Sequence, residues 1–271
     1  MSLPFADIAV DADLAAEEEA HEIRMRRLAF ALAYPFAHPE RSYVYLGDFG
    51  AAPLPEDPSD WSNIGSAPAR MRRAMEALQK FDFANATAVL AAGSNAAPLQ
   101  LTRKYMIHED HAASIAIPCL RVRVPNLIAC YTRQMAPYGS IPTMIVRQQG
   151  AASLFYVNIL DRHMLERMNH TEGLGSHYGL TELGRVSGSG FAPIEGMPIH
   201  GYQAMAGHFP VRLHTTPAFD CDLPAIDQRG IQERIIAALD LDISVEQFVL
   251  RNIYEPSHRA EIVERLRDLV L

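Results

Sequence analysis

The chain has 271 residues, of which 49% are hydrophobic, so it is long enough to bury the core of one large domain with helical additions. Its formal net charge is -8, from 24 Lys and Arg against 32 Asp and Glu residues. This balance argues against a nucleic-acid partner, because such proteins usually present a basic surface. No apolar run reaches the roughly 18 residues of a membrane span, so we expect no membrane partner either.

The cysteines indicate a reducing compartment. Cys119, Cys130 and Cys221 are odd in number and have no CxxC spacing, which is not the pattern of a disulfide framework. The first 27 residues lack the basic start and the following apolar stretch of a signal peptide. We therefore expect a reduced, cytoplasmic protein.

Residues 1–85 are expected to form a helical and loop extension. In the stretch AAEEEAHEIRMRRLAFALA the acidic residues come early and the arginines late, which is the order that a helix dipole favours. The stretch PFAHPERSYVYLGDFGAAPLPEDPSDW is rich in Pro, Gly and Asp and predicts mostly loop. A second helix is predicted over APARMRRAMEALQKFDF. We expect this zone to cover the protein without contributing chemistry.

Residues 86–215 differ from the first zone in their hydrophobic pattern. Short apolar or alternating runs predict strands, and one helical stretch, DRHMLERMNHTEG, interrupts them. The predicted strands are ATAVLAA, PCLRVRV, NLIACYT, TMIVRQ, SLFYVNIL, HYGLTELGRV and PIHGYQAMAG. This pattern predicts an α+β fold with a small, mixed, curved and barrel-like sheet.

Residues 216–271 predict a helical extension, because apolar residues recur at spacings of three and four. The triplet Asp242-Ile243-Ser244 offers a cap for one of these helices. We expect the helices to pack on the sheet domain or on a second copy of the chain, so a homo-oligomer is left open.

The first candidate site is the triplet Gly93-Ser94-Asn95, which ends the first strand of the second zone. Glycine permits a sharp turn there, and successive backbone N–H groups form an anion-binding nest, helped by a helix that starts at Pro98. The alternative is an ordinary turn. If the nest exists, we expect a Gly93→Val change to weaken anion binding more than stability.

The second candidate is Glu172, at the end of a predicted helix and directly before Gly173. A helix C-terminus disfavours a negative charge, so Glu172 does not serve to stabilise the helix. Inside a pocket it is a candidate general base. The alternative is a solvated residue in a turn.

Together the two stretches resemble the γ-glutamylcyclotransferase-like family. That family has a strand ending in a Tyr-Gly-Ser-Asn loop, further strands, a helix leading to Leu-Asp…Glu-Gly, and a Tyr that starts a strand. This chain has Gly93-Ser94-Asn95, then ILDRHMLERMNHTEG, then Tyr178. The resemblance covers residues 86–210 approximately, and it leaves both end zones unexplained.

The resemblance implies an activity and a set of roles. The loop of Gly93, Ser94 and Asn95 binds the amino-acid end of a γ-glutamyl group, beside Tyr178. Glu172 moves the proton while the substrate's α-amine attacks its own γ-carbonyl, which gives 5-oxoproline and a released amine. No metal and no organic cofactor are implied. Ala92 stands where the family has Tyr, and Tyr105 or Tyr131 are the candidates to replace that ring.

Other hypotheses stay open. A binding or regulatory protein with the same pocket and no turnover belongs to a different class, and an amide-cleaving or acyl-transfer relative would use the same glutamate. The stretch HEDH, His108 to His111, brings two histidines and Glu109 together, but a third metal ligand at fixed spacing is absent, so we expect a polar surface loop. Cys119 and Cys130, on predicted neighbouring strands, are expected to pack as small hydrophobic residues.

Overall fold

The computed structural model describes residues 20–105 and 115–271. Over these ranges the mixed α+β class is confirmed, with seven helices and a ten-stranded sheet. The strands are β1 (Tyr43–Leu46), β2 (Gly50–Pro53), β3 (Thr87–Ala91), β4 (Ala116–Thr132), β5 (Thr143–Leu160), β6 (Tyr178–Arg185), β7 (Pro198–Ala204), β8 (His208–Leu213), β9 (Ala218–Phe219) and β10 (Ala225–Ile226). The helices are α1 (20–32), α2 (Ala69–Lys80), α3 (Pro98–Tyr105), α4 (Arg162–Glu172), α5 (Gln228–Ala238), α6 (Val245–Tyr254) and α7 (Pro256–Asp268).

The sheet is mixed and curved. Its main order is β10-β8-β4-β5-β3-β7-β6, with β1 and β2 added beside β4 and with β9 beside β5. Strand β3 runs antiparallel to β5 and parallel to β7. Arg147 of β5 donates from Nη2 to the carbonyl of Leu183 in β6, at 3.1 Å. Because β3 and β7 lie between these two strands in the order, this contact requires strong curvature.

The two longest strands differ from the prediction. Four separate strands were expected in this region, but β4 and β5 each continue through the expected break. The register between them shifts at Pro125 and Leu127, where Asn126 has a φ of 58°. The side chain of Asn126 accepts a hydrogen bond from the N–H of Gly150 at 2.9 Å. A bulge therefore absorbs the proline and the asparagine without ending the strand.

The loop predicted in the N-terminal zone contains a hairpin instead. Strand β1, with the sequence YVYL, is fully buried and pairs with both β2 and β4. Pro, Gly and Asp residues surround the four residues of β1, so the local sequence is typical of a loop. The four residues form a strand because they pair with β2 and with the distant β4. The boundaries 1–85, 86–215 and 216–271 remain predictions of domain organisation, although β1 extends the sheet of the second zone.

The helices cover both faces of the sheet. Along β3, Ala88 and Leu90 face a core shared with α2, α5, α6 and α7, whereas Val89 and Ala91 face a second core shared with α3 and α4. This alternation is the period of two that a strand imposes. Within the described ranges no helix is long and apolar enough to cross a membrane.

The C-terminal helices α5 and α6 begin at side-chain caps, whereas α7 begins at Pro256 without one, and all three contribute to the main core. Asp227 caps α5, and Ser244 forms a capping box with Gln247 at the start of α6. Phe248 of α6 and Leu266 of α7 have no measurable exposure and share their core with Phe155 of β5. Helices were expected over this zone, and they pack directly on the sheet.

Truncating Phe248 tests whether these helices and the sheet form one cooperative core. Phe248→Ala should lower the free energy of unfolding by about 3–5 kcal/mol, because it leaves a cavity between α6 and the sheet. Denaturant unfolding measures this, with Tyr254→Ala on the exposed side of the same helix as control. A loss below about 1 kcal/mol, or two separate transitions, would show that the C-terminal helices unfold independently.

Candidate functional site

A cavity of about 990 Å³ opens where β3 ends, and it brings the predicted site residues together. Because β3 and β7 are parallel, their carboxyl ends meet at one edge of the sheet. Strand β6 starts at the same edge, since Tyr178 pairs with Ala204 at the end of β7. The cavity is lined by Gly93, Ser94, Asn95, Glu172 and Tyr178, together with residues from the N- and C-terminal zones.

The loop after β3 turns its carbonyls away from the cavity. Residues Ser94–Ala96 form one turn of 3-10 helix, and α3 then starts at Pro98 as expected. The carbonyl of Asn95 accepts from Asn158 Nδ2 at 2.9 Å, and that of Ala96 accepts from the Tyr43 hydroxyl at 2.7 Å. Among the hydrogen bonds of the described residues, none is donated by the backbone N–H of Ser94 or Asn95. The N–H of Asn95 remains available to an anion, whereas the N–H of Ser94 points towards the Tyr34 hydroxyl and slightly lowers the pKa of that tyrosine.

Gly93 is required by close packing. A Cβ at this position would fall well inside van der Waals contact with the Tyr34 hydroxyl, and it would lie 2.5 Å from Thr143 Oγ1. Any side chain at 93 must therefore displace buried groups. Gly93→Val is therefore expected to lower stability as well as to weaken anion binding, and which loss is larger stays a prediction.

Tyr34 fixes the end of the strand through Thr143. The Thr143 hydroxyl donates to the carbonyl of Ala92 at 2.8 Å, so the Tyr34 hydroxyl must donate to Thr143 Oγ1 at 3.0 Å, and it accepts from the Thr143 N–H at 2.9 Å. Burial raises the pKa of Tyr34 to about 12, partly offset by its bonds to Thr143, so its proton stays in place at neutral pH. This residue of the N-terminal zone lines the cavity, and sequence reasoning missed it.

Neither tyrosine proposed as a replacement for the family ring lines the cavity. The Tyr105 hydroxyl donates to the carbonyl of Met164 at 2.9 Å, and the Tyr131 hydroxyl donates to the carbonyl of Ile226 at 3.2 Å. Tyr34 contacts the loop next to Ala92 instead. The aromatic side chain at the loop therefore comes from a position 59 residues earlier in the chain than Gly93.

Glu172 is held at the last residue of α4. The helix starts with Asp161, whose Oδ1 accepts from the N–H of Met164 at 2.8 Å. It ends at Gly173, which has a φ of 64°. A Cβ at Gly173 would lie 2.9 Å from the ring of His177, so both the left-handed backbone and the close contact favour glycine there. The chain reverses directly after Glu172 and leaves its side chain in the cavity.

Two side chains bind the same oxygen of Glu172. Asn95 Nδ2 donates to Oε1 at 3.0 Å, and Lys104 Nζ forms an ion pair with the same Oε1. The Lys104 side chain is 4% exposed and that of Glu172 is 17% exposed. No described residue donates a hydrogen bond to Oε2. The carboxyl group of Glu172 is thus held in place through Oε1, and Oε2 is left for a ligand.

Lys104 was missed because its sequence position, in the last turn of α3, is typical of a solvated cation. It is buried instead because α3 and α4 are linked by two further hydrogen bonds. Arg167 Nε donates to the carbonyl of Lys104 at 2.7 Å, and the Tyr105 hydroxyl reaches α4 at Met164. Lys104 Nζ also lies 3.3 Å from the sulfur of Met168.

One acceptor of the site has no partner. The Oδ1 of Asn95 is buried, and no described residue donates a hydrogen bond to it. The amide cannot be reversed, because that would place its oxygen against the Glu172 carboxylate. A buried acceptor without a donor costs free energy, and a ligand N–H would remove that cost.

Tyr178 contributes a neutral hydroxyl to the cavity. Burial raises the pKa of Tyr178 well above its ordinary value of 10.0, and the nearby charge of Glu172 raises it further. Its hydroxyl therefore keeps its proton and is suited to hydrogen bonding. The Tyr202 ring packs edge-on against it, with centroids 6.4 Å apart, and the Tyr202 hydroxyl donates to Asn169 Oδ1 at 2.7 Å.

The metal hypothesis is not tested by the structure. His108 and the rest of the HEDH stretch lie outside the described residues. Within residues 20–105 and 115–271, no three His, Cys, Asp or Glu side chains are grouped so that they hold a metal ion.

No family model matches the chain, and no curated protein matches it. Among solved structures it is similar to the uncharacterized protein loc79017 from Homo sapiens, with 12% identity and a TM-score of 0.33. The alignment covers 68% of this chain and 88% of that one. A TM-score at this level supports no argument about the fold or the function.

A single methyl group at residue 93 tests the packing of the loop. Gly93→Ala should lower the free energy of unfolding by about 1–3 kcal/mol, because the new Cβ meets Tyr34 and Thr143. Gly65→Ala is the matched control, since a Cβ there meets no atom within 4 Å. Thermal or denaturant unfolding compares the two variants. Equal stability would mean that Gly93 is not packed against Tyr34.

Proposed function

We propose that the protein is a γ-glutamylcyclotransferase-like enzyme, which cyclises a γ-glutamyl amine or a related small amide to 5-oxoproline and releases an amine. One observation carries the proposal. The Glu172 carboxylate is hydrogen-bonded to Asn95 of the loop, inside a cavity where the backbone N–H and the side-chain Oδ1 of Asn95 have no partner among the described residues.

The unpaired groups match the amino-acid end of a γ-glutamyl substrate. The N–H groups of Ser94 and Asn95 suit its α-carboxylate, at the turn that leads into α3. Asn95 Oδ1 and the free oxygen of Glu172 suit its α-amine, which needs acceptors. Because the site offers N–H donors to a carboxylate and oxygen acceptors to an amine, it favours a zwitterion over a ligand that carries only one of these two groups.

The chemistry requires one proton shuttle and no redox step. The α-amine nitrogen attacks the γ-carbonyl carbon, so a C–N bond forms and closes the five-membered ring. Glu172 first takes a proton from the bound α-ammonium, which frees the nitrogen lone pair for the attack, and it delivers this proton to the leaving nitrogen as the original amide C–N bond breaks. The second proton that the attacking nitrogen loses is taken up by the released amine, which leaves as an ammonium. Holding the substrate folded supplies much of the rate, since the attack is intramolecular, and the acid–base group contributes about 10²–10⁴-fold.

Lys104 and Tyr178 line the cavity and assist this chemistry. The ammonium of Lys104 forms an ion pair with Glu172 and fixes Oε1, which leaves Oε2 for the substrate. The protonated hydroxyl of Tyr178 is available to hydrogen-bond the substrate. The proposal needs no metal or organic cofactor. A cytoplasmic location belongs to it as well, because the three cysteines are free thiols.

The main test removes the proton shuttle. Glu172→Gln keeps the shape of the side chain, and turnover should fall by roughly 10²-fold or more while substrate binding changes little. The assay follows 5-oxoproline release from several γ-glutamyl compounds. Equal activity of wild type and variant would eliminate Glu172 as the base.

The same assay decides between the alternatives. Loss of the amide without 5-oxoproline would favour the amide-cleaving or acyl-transfer relative. Substrate binding without any turnover would favour the binding or regulatory protein, and ligand-induced thermal shifts then measure its affinity.

The Lys104–Glu172 ion pair changes the effect that Glu172→Gln is expected to have on the free energy of unfolding. A carboxylate at a helix C-terminus is unfavourable when charged, so on this feature alone Glu172→Gln would leave stability unchanged or slightly raised. Because Lys104 is 4% exposed, the variant instead leaves an ammonium buried without its counter-charge. We expect a loss of about 2–3 kcal/mol, below the roughly 3–5 kcal/mol of a fully buried pair since Glu172 is partly exposed. Lys104→Met should cost a similar amount.

The double variant Lys104→Met/Glu172→Gln provides the matched control. It removes both charges, so its loss should be smaller than the sum of the two single losses, by about 1–3 kcal/mol in denaturant unfolding. It should also remain inactive, which separates catalysis from stability. Additive losses would show that the two side chains do not interact.

A further inference from the structure

We propose that a second cavity, which adjoins the loop after β3, binds a free amino acid with a large apolar side chain, with Arg121 holding its carboxylate and Glu40 its ammonium group. This second cavity has a volume of about 480 Å³. Gly93 lines both cavities, whereas Glu172 and Tyr178 line only the first of the two. The inference concerns a different site, so it does not depend on the proposed function.

One wall of the second cavity is a segment that crosses the sheet. Arg121 of β4 and Tyr156 of β5 are register partners, so their side chains lie side by side on one face of the two strands. The Tyr156 hydroxyl donates to the carbonyl of Pro39, and Arg121 Nη1 donates to the carbonyl of Glu40. Two side chains of the sheet therefore hold the segment 35–40 in place beside the cavity.

The interior of the second cavity suits an apolar side chain. The ring of His38 packs against that of Tyr156, with centroids 4.9 Å apart. Burial lowers the pKa of His38 below its ordinary value of 6.5, so this ring is neutral at pH 7. An apolar side chain gains free energy by leaving water in such a place. The larger apolar residues of the lining are Pro35, Phe36, Leu154, Phe155, Leu213 and Pro217.

Two opposite charges line the second cavity without neutralising each other. Among the described residues, its charged lining consists of Arg121 and Glu40. They are neighbours, because Arg121 Nη1 binds the Glu40 carbonyl, but the guanidinium and the carboxylate form no ion pair. No described residue accepts a hydrogen bond from Arg121 Nε or Nη2, and none donates one to the Glu40 carboxylate. The arginine can therefore bind a carboxylate, and the glutamate can bind an ammonium group.

His38 provides a second acceptor for the ammonium group. Its Nδ1 lies 3.2 Å from the carbonyl of Pro39, which can only accept, so in the neutral ring Nδ1 carries the proton and Nε2 is an acceptor. No described residue is hydrogen-bonded to this Nε2. An amino acid carries a carboxylate, an ammonium group and a side chain on one carbon, which are the groups that the lining accommodates. A ligand with a single charge leaves either Arg121 or Glu40 without a partner.

Calorimetry with three ligands that share a phenyl ring tests the inference. The ligands are phenylalanine, hydrocinnamate, which lacks the ammonium group, and phenethylamine, which lacks the carboxylate. Wild type should bind phenylalanine about 5- to 20-fold more tightly than either analogue. Glycine keeps both charged groups but has no ring, so it should bind at least about tenfold more weakly than phenylalanine. Equal affinities for the three phenyl ligands, or no binding of phenylalanine, would overturn the inference.

Two variants should change these affinities in opposite ways. Arg121→Gln should weaken phenylalanine and hydrocinnamate by about 5- to 20-fold, and phenethylamine should bind equally well or more tightly. Glu40→Gln should weaken phenylalanine and phenethylamine, and hydrocinnamate should bind equally well or more tightly. A general loss of structure does not give this reciprocal pattern, because it weakens all three ligands alike. An equal loss for all three ligands in Arg121→Gln would overturn the inference.

Arg123→Gln is the matched control. Arg123 lies on the same strand as Arg121 and is also exposed, but its guanidinium lies 4.6 Å from the centroid of the Phe219 ring and does not line the second cavity. This variant should leave all the affinities unchanged. If Arg121→Gln also kept the full affinity for phenylalanine, the amino acid would bind elsewhere on the protein, the first cavity included, and the inference would be wrong.

Discussion

The candidate site depends on the burial of one ion pair. A lysine that is 4% exposed and a glutamate at a helix C-terminus are each costly unless they meet. They meet because α3 and α4 are linked at the Lys104 carbonyl and at Tyr105, and because Gly173 ends α4 directly after Glu172. The same geometry brings Asn95 to the carboxylate. The Lys104–Glu172 ion pair, the loop that contains Asn95 and the end of α4 at Gly173 therefore hold one another in place.

The cavity is assembled from all three zones of the chain. The central zone provides the loop after β3 and the carboxylate. The N-terminal zone provides Tyr34, whose hydrogen bonds with Thr143 orient the peptide before Gly93. The C-terminal zone provides the wall of α7 with Arg259. A site of this kind forms only when long-range packing is complete, which couples the fold of the extensions to any activity in the central zone.

Local patterns in the sequence predicted those strands and helices whose ends are set by neighbouring residues. The strand before Gly93, the helix that ends at Glu172, the start at Pro98 and the cap at Ser244 all depend on neighbouring residues. Their meeting in one cavity was expected from the family resemblance alone. No local pattern reveals Lys104 or Tyr34, because their burial depends on partners 68 and 109 residues away. For the same reason the continuity of β4 and β5 and the burial of β1 were not predicted.

The most direct test of the account is a crystal structure with 5-oxoproline, the proposed product. In that structure the carboxylate of the ligand should accept hydrogen bonds from the N–H groups of Ser94 and Asn95. Its ring N–H, which derives from the α-amine, should donate to the free oxygen of Glu172. Binding of 5-oxoproline elsewhere on the protein, or in the cavity with its carboxylate turned away from the loop, would contradict the account.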